Sequence, residues 1–323
     1  MRGAFVIATL VALAAAPAAV GAPPTALMTA GRLEADGAGL AVAGDAVLIG
    51  RWDGRVARVL RLPVGGGTPA TILRFTAPPG ARAGDVRLDA SATTAAAVVT
   101  TGDDETDLAA AQPFAGPAAG PLEAIGPLTE LGATTYFTPF VAVDGERLIR
   151  DEYRGDFRRH RTIVADPGAP PAAVRLPQSA FIADVAGELV AYADSPRGDD
   201  DEPRRLVVAA WRTGERRWTK DIPGRIESLD LRADGRVLAG EDGSGVVEVA
   251  AGGASVRRIS RRGTLPRYAG DAVVFLDQRE SDARLFVAAA DRRPHPFGVV
   301  SAAIDDVAAG ERSVAWRAHG CVL

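Results

Sequence analysis

The sequence is poor in the residues that build disulfide frameworks, metal clusters and nucleophile sites. Among 323 residues there are one Cys, three His and two Met, and Lys220 is the only Lys. A single cysteine, Cys321, excludes an intramolecular disulfide framework and any Cys-based zinc cluster. An excess of positive charge is also missing. The 37 basic against 41 acidic residues give a formal net charge of −4, which excludes a generally basic nucleic-acid binder. The scattered placement of arginine among the acids reads as GC-rich coding rather than as a site. Gly-x-Ser-x-Gly, His-Glu-x-x-His and a phosphate-binding glycine loop before a helix are all absent. Past the N-terminus, no apolar run is long enough to span a bilayer.

What is present is a folding composition, 47% hydrophobic and 24% charged, with mean hydropathy +0.05. That excludes a disordered chain. The length suits two ordinary domains or one large β domain. Arg2 followed by an apolar run from Ala4 to Ala16, Pro17 and small residues is the pattern of a secretory signal peptide. Residues 1–22 are read as that signal, with cleavage near 18–22. A cut after Ala18 or Gly21 avoids placing Pro23 just after the scissile bond. Residues 23–323 then form a single exported domain, secreted or periplasmic, monomeric and without a membrane span.

The rest of the chain repeats one unit: a short apolar strand, a tight turn, a second apolar strand and a charged loop. It reads Gly39-LAVAGDAVLIGR-Trp52, Val86-RLDASATTAAAVVT-Thr101, Pro139-FVAVDGERLIRD-Glu152 and Ala180-FIADVAGELVAYA-Asp194. Three further copies are Ile226-ESLDLRADGRVLAG-Glu241, Pro266-RYAGDAVVFL-Asp277 and Ala302-AIDDVAAGERSVAW-Arg317. Asp144-Gly145, Asp234-Gly235 and Gly270-Asp271 supply the positive-φ positions of tight hairpins. A third strand follows the loop (Val56-ARVLRL, Leu206-VVAAW, Val246-VEVA) and a weaker fourth follows in most units (Ala70-TILRF, Ser255-VRRIS). Four strands at a spacing of roughly 40–45 residues make a propeller blade. The fold predicted is an all-β propeller, seven-bladed or six-bladed, ahead of three-stranded repeats or a long β-sandwich. The chain ends in the third strand of its last unit, so residues 25–33 are predicted to supply that blade's outer strand.

Leu229-DLRADGRVLAGED-Gly243 resembles a unit of the TolB-like, WD-repeat-like bacterial propellers, with Asp234-Gly235-Arg236 at the turn. The family's Ser-Pro before the turn is Arg232-Ala233 here, and the other units share the pattern with little identity. The resemblance implies the propeller fold and, by analogy of fold, protein–protein contact in a bacterial envelope.

The loops between second and third strands fall together on one face and are highly charged. Binding residues are expected there: Trp52 and Asp53 in one loop, and Arg154, Asp156, Arg158, Arg159, His160 and Arg161 in another. Arg forks bind carboxylates bidentately, and a Trp stacks on a sugar ring. Ordinary solvated hairpin tips are the plainer reading of the same composition. Asp103, Asp104 and Asp107, with Asp199, Asp200 and Asp201, concentrate oxygen ligands of the kind Ca²⁺ takes. Neither run has the alternating ligand order of an EF-hand loop, and no other cofactor is expected. No catalytic residue is assigned. The function expected is a binding module for a protein partner or an envelope glycan, without nucleic acid. The alternative is a propeller-type hydrolase or lyase acting on a carbohydrate or lactone at the channel mouth.

Overall fold

In the computed structural model the described residues are 39–64, 66–102, 109–131, 140–152, 161–165, 176, 180–195, 204–242, 245–278, 283–288, 293–300, 303–311 and 313–319, with short strands at 5–6, 10–12 and 27–28. Alternating Val, Leu, Ile and Ala give strands rather than helices, and one 3-10 turn, Ala251–Gly253, is the only helical element among the described residues.

The strands group into seven antiparallel sheets in chain order. Sheet 1 is Leu40–Ala43, Ala46–Asp53, Val56–Pro63 and Ala70–Thr76. Sheet 2 is Arg82–Ala90, Thr94–Gly102 and Ala109–Pro117, whose outer neighbour is split into Glu123–Ala124 and Thr129–Leu131. Sheet 3 has three described strands: Val141–Asp144, Arg147–Glu152 and Arg161–Ala165. Sheet 4 is Ala180–Ala186, Leu189–Asp194, Arg205–Ala210 and Arg216–Asp221. Sheet 5 is Ile226–Leu231, Val237–Glu241, Gly245–Val249 and Val256–Ser260. Sheet 6 is Gly263–Ala269, Ala272–Gln278, Ala283–Ala288 and His295–Val300, and sheet 7 is built on Ala303–Ala309 and Ser313–His319.

First strands adjoin one another in order around the ring, and that of sheet 7 returns to that of sheet 1. Each junction has its own apolar core. Ala57, Val59 and Phe75 of sheet 1 meet Val86 and Ala97 of sheet 2, while Leu40, Ile49 and Leu60 on the other side meet Ala308 and Ala315 of sheet 7. Many facing residues are alanines, so the sheets stack closely with few aromatic side chains between them.

Two expectations are corrected. Five of the sheets are complete four-position blades, not seven or six, because sheet 3 shows three described strands and sheet 7 supplies only two of its own. Nor does Leu27–Met28, the described part of residues 25–33, pair directly with the last blade's own strands. Phe5–Val6 and Leu10–Ala12 pair with Ser313–His319, and Leu27–Met28 pairs with Leu10–Ala12 one strand further out. Residues 172–175, where the fourth strand of sheet 3 was expected, and Cys321 lie outside the described residues, while Leu176 is buried beside Ile149 and Val185 and is in no strand.

The turns between first and second strands lock together. Ser91 Oγ donates to the Gly145 carbonyl at 2.6 Å, and the Gly187 N–H donates to Asp144 Oδ2 at 2.6 Å. Arg147 bonds the Gly187 carbonyl, and Arg232 Nη1 donates to that of Gly270 at 3.3 Å. Gly145 and Gly270, at φ 58° and 59°, make these close turns without the strain a Cβ would bring.

Candidate functional site

With one face knit by its turns, the chemistry nearest the ring's centre comes from the first strands. Asp89, Asp184 and Asp230 stand one or two residues before the last residue of the first strands of sheets 2, 4 and 5, and Arg267 holds the matching place in sheet 6. Each is half-buried, which fits side chains lining a narrow channel.

Each carboxylate clasps the following sheet. Asp89 Oδ2 accepts from the Val143 N–H at 2.6 Å, and Asp184 Oδ2 from the Leu231 N–H at 2.6 Å. Asp230 Oδ2 accepts from the Tyr268 N–H. Asp184 also accepts through Oδ1 from the Val185 N–H at 2.8 Å. Arg267 Nη1 reaches back to the Leu229 carbonyl at 3.3 Å.

Burial is the main force on these acids. It pushes the Asp89 carboxyl up to about 7, with the charge of Asp184 adding to it and the N–H groups of Val143 and Ala90 and the Arg267 guanidinium opposing it. Asp184 and Asp230 are raised for the same first reason, again against the pull of Arg267. The negative charges of Asp184 and Asp89 add to the rise at Asp230, so the three carboxyls act on one another. A carboxyl raised to about 7, as Asp89 is, lies in the range where a general acid or base works. The same oxygens hold neighbouring sheets together.

A second network flanks it. Glu248 receives Arg257 Nη2 at 2.8 Å and the Tyr268 hydroxyl at 3.2 Å. Glu241, whose side chain is fully buried, accepts from the Gly224 N–H at 3.1 Å and lies 3.0 Å from Arg258 Nη1.

The residues expected from sequence fare differently. Trp52 is not on a loop: it closes the second strand of sheet 1 and packs half-buried against the core between sheets 1 and 2. Asp53 is the exposed last residue of that strand. Arg161 begins the third strand of sheet 3, with its backbone opposite Glu152. Arg154, Asp156, Arg158, Arg159 and His160 lie outside the described residues, as do Asp103, Asp104, Asp107, Asp199, Asp200 and Asp201. Among the described residues no group of three or more His, Cys, Asp or Glu side chains is placed to hold a metal ion. No described helix is long and apolar enough to cross a membrane. The axial acids were missed in the sequence, although an Asp recurs at one place of the repeat, in RLD-Ala90, IAD-Val185 and SLD-Leu231.

No protein-family model matches the sequence, and no curated protein does. Solved structures do resemble it. The β-propeller domain of the Trilobed protease from Pyrococcus furiosus aligns over 88% of this chain and 92% of its own, at 11% identity and TM-score 0.60. The acylaminoacyl peptidase of Pyrococcus horikoshii aligns over 83% of this chain at 12% identity and TM-score 0.53, and this chain spans only 45% of it. TolB from Acinetobacter baumannii aligns over 98% of this chain and 64% of its own, at 11% identity and TM-score 0.45. At such identities the likeness to the first two shows the fold, a β-propeller, and nothing narrower.

Proposed function

We propose that this chain is an exported, non-catalytic β-propeller that binds a protein partner or an envelope glycan on the face carrying the loops between second and third strands. The observation that supports this reading most is the engagement of the axial acids. Asp89, Asp184 and Asp230 each hold a backbone N–H of the next sheet, so the channel's proton-bearing groups serve the ring itself. On the opposite face the turns are locked to one another, which leaves the charged loops as the variable surface of a rigid scaffold. Arg154, Arg158, Arg159 and Arg161 are the residues proposed to meet the ligand, with residues 1–22 removed on export and the strands Phe5–Val6 and Leu10–Ala12 of sheet 7 lost with them.

The test is retention of the purified protein on envelope fractions and isolated cell-wall glycan, with cross-linking to recover a protein partner. Replacing the four arginines by Gln is expected to abolish retention and leave the melting temperature unchanged. Retention equal to that of the unaltered protein would sink the loop assignment.

One observation favours the second reading, a hydrolase or lyase. Burial raises the carboxyls of Asp89, Asp184 and Asp230, and their charges act on one another. Turnover of a carbohydrate or lactone that is lost in Asp184→Asn would establish that reading in place of the first.

A further inference from the structure

Three arginines stand in one row across sheet 1. Arg51 on the second strand is directly opposite Arg58 on the third, and Arg58 is directly opposite Arg74 on the fourth. Opposed residues share a face, and their Cβ atoms stand about 4.5–5.5 Å apart. The face is the one that turns toward sheet 7, because Ile49 and Leu60, an opposed pair two residues further along the strands, pack there against Ala308 and Ala315. Their neighbours Trp52, Ala57 and Phe75 point the other way, into the core with sheet 2. Arg51 is two residues from the loop end of its strand, so the row runs outward at the loop-bearing face.

Like charges directly opposite one another destabilise a sheet pair. Here two such pairs are stacked, and among the described residues none of the three guanidiniums has a carboxylate partner or a hydrogen bond. Charged side chains on an edge strand guard against edge-to-edge pairing. That accounts for Arg74, which is exposed on the outer strand, but not for Arg58, half-buried on an interior strand, nor for Arg51. A bound anion removes the repulsion. Each guanidinium presents a fork that fits the two oxygens of a carboxylate, sulfate or phosphate. Two adjacent forks satisfy a single small ion. Three in line match successive acidic groups on one extended chain. A membrane surface is disfavoured, since Val256 is the only large hydrophobic residue exposed among those described.

We infer that Arg51, Arg58 and Arg74 form an oxyanion-binding row that takes consecutive acidic groups of an anionic polysaccharide. The inference rests on the reading of the protein as a glycan-binding propeller, and it adds a contact between blades to the one proposed on the 154–161 loop.

The experiment measures binding of polygalacturonate and heparin to the full chain by calorimetry at graded salt. It compares the unaltered protein, the triple variant R51Q/R58Q/R74Q and a control, K220Q/R261Q/R262Q. The control removes three cations that also lack a partner among the described residues, one on sheet 4 and two in the bend between sheets 5 and 6. The row variant is expected to lose affinity roughly tenfold or more and to show a shallower salt dependence, with its melting temperature held or raised. The control is expected to bind as the unaltered protein does. Equal loss in both variants, or loss in neither, overturns the row. If inorganic sulfate raises the melting temperature of the unaltered protein as much as the polymers do, the site takes a small ion and the polysaccharide assignment falls. If the unaltered protein binds neither polymer yet cross-links to a protein partner, the row fails while the binding-module reading stands.

Discussion

Asp184 of sheet 4 accepts a hydrogen bond from the backbone N–H of Leu231 in sheet 5 at 2.6 Å, so one side chain stitches two neighbouring inner strands. Removing it leaves a buried N–H without an acceptor, which costs about 1–3 kcal/mol. Asp184→Ala is therefore expected to lower the melting temperature clearly. Asp184→Asn keeps an acceptor oxygen and sheds the charge that burial opposes, so it is expected to cost much less. Thermal unfolding of both variants checks this, and equal losses would show that the charge, not the hydrogen bond, holds the sheets.

Asp89 makes stability depend on pH in an unusual direction for a carboxylate. Its folded value, about 7, lies above the ordinary 3.8, so between the two the native state binds the extra proton. Stability linked to this group is fully present below 3.8 and is lost as pH rises toward about 7. Asp89→Asn removes the titration. The difference in melting temperature between the unaltered protein and this variant is expected to move against the unaltered protein across that window and to stay constant above it. Parallel curves would mean that Asp89 titrates at an ordinary value.

The strand pattern was legible because alternation and turn chemistry act locally: Asp144-Gly145 and Gly270-Asp271 make hairpins wherever the flanking residues are apolar. Trp52 was misplaced for the converse reason. Arg51 and Asp53 look like a charged loop by composition, yet in Arg-Trp-Asp every second side chain points to one face, and the strand runs through all three. The axial acids were harder to see. An Asp in an apolar strand gives no local sign that its partner is a backbone N–H in another repeat, some 38 to 54 residues on. The arginine row is equally hidden, since it depends on the register of three strands.

Glu241 tests the outer part of the junction between sheets 4 and 5. Its buried carboxylate accepts from the Gly224 N–H and pairs with Arg258, whose own side chain is partly in water. Glu241→Ala leaves the N–H unsatisfied and the guanidinium without this partner, at a cost of about 2–4 kcal/mol. Glu241→Gln keeps the hydrogen bond to Gly224 and loses only the ionic part, so it is expected to fall between the two. Chemical denaturation of the three proteins orders them. A Gln variant as unstable as the Ala variant would assign the stabilisation to the ion pair.

Tyr268 joins the axial acids to the flanking network, its N–H on Asp230 and its hydroxyl donating to Glu248 at 3.2 Å. Burial, then the negative charges of Glu248 and Asp230, hold its phenol well above the ordinary 10.0. The hydroxyl therefore stays protonated where an exposed tyrosine ionises. Because the folded value exceeds the unfolded one, the linked stability is present below 10.0 and falls as pH climbs beyond it. Tyr268→Phe is expected to cost about 1 kcal/mol at neutral pH through the lost hydrogen bond. It is also expected to flatten the alkaline fall in melting temperature. Ultraviolet titration of the native protein supplies the independent reading: of its four tyrosines, Tyr192 and Tyr268 are both raised by burial, and the late-ionising amplitude should shrink by one tyrosine in the Phe variant. If the late amplitude is undiminished in that variant, Tyr268 is not among the late-titrating phenols and Glu248 does not hold it as drawn.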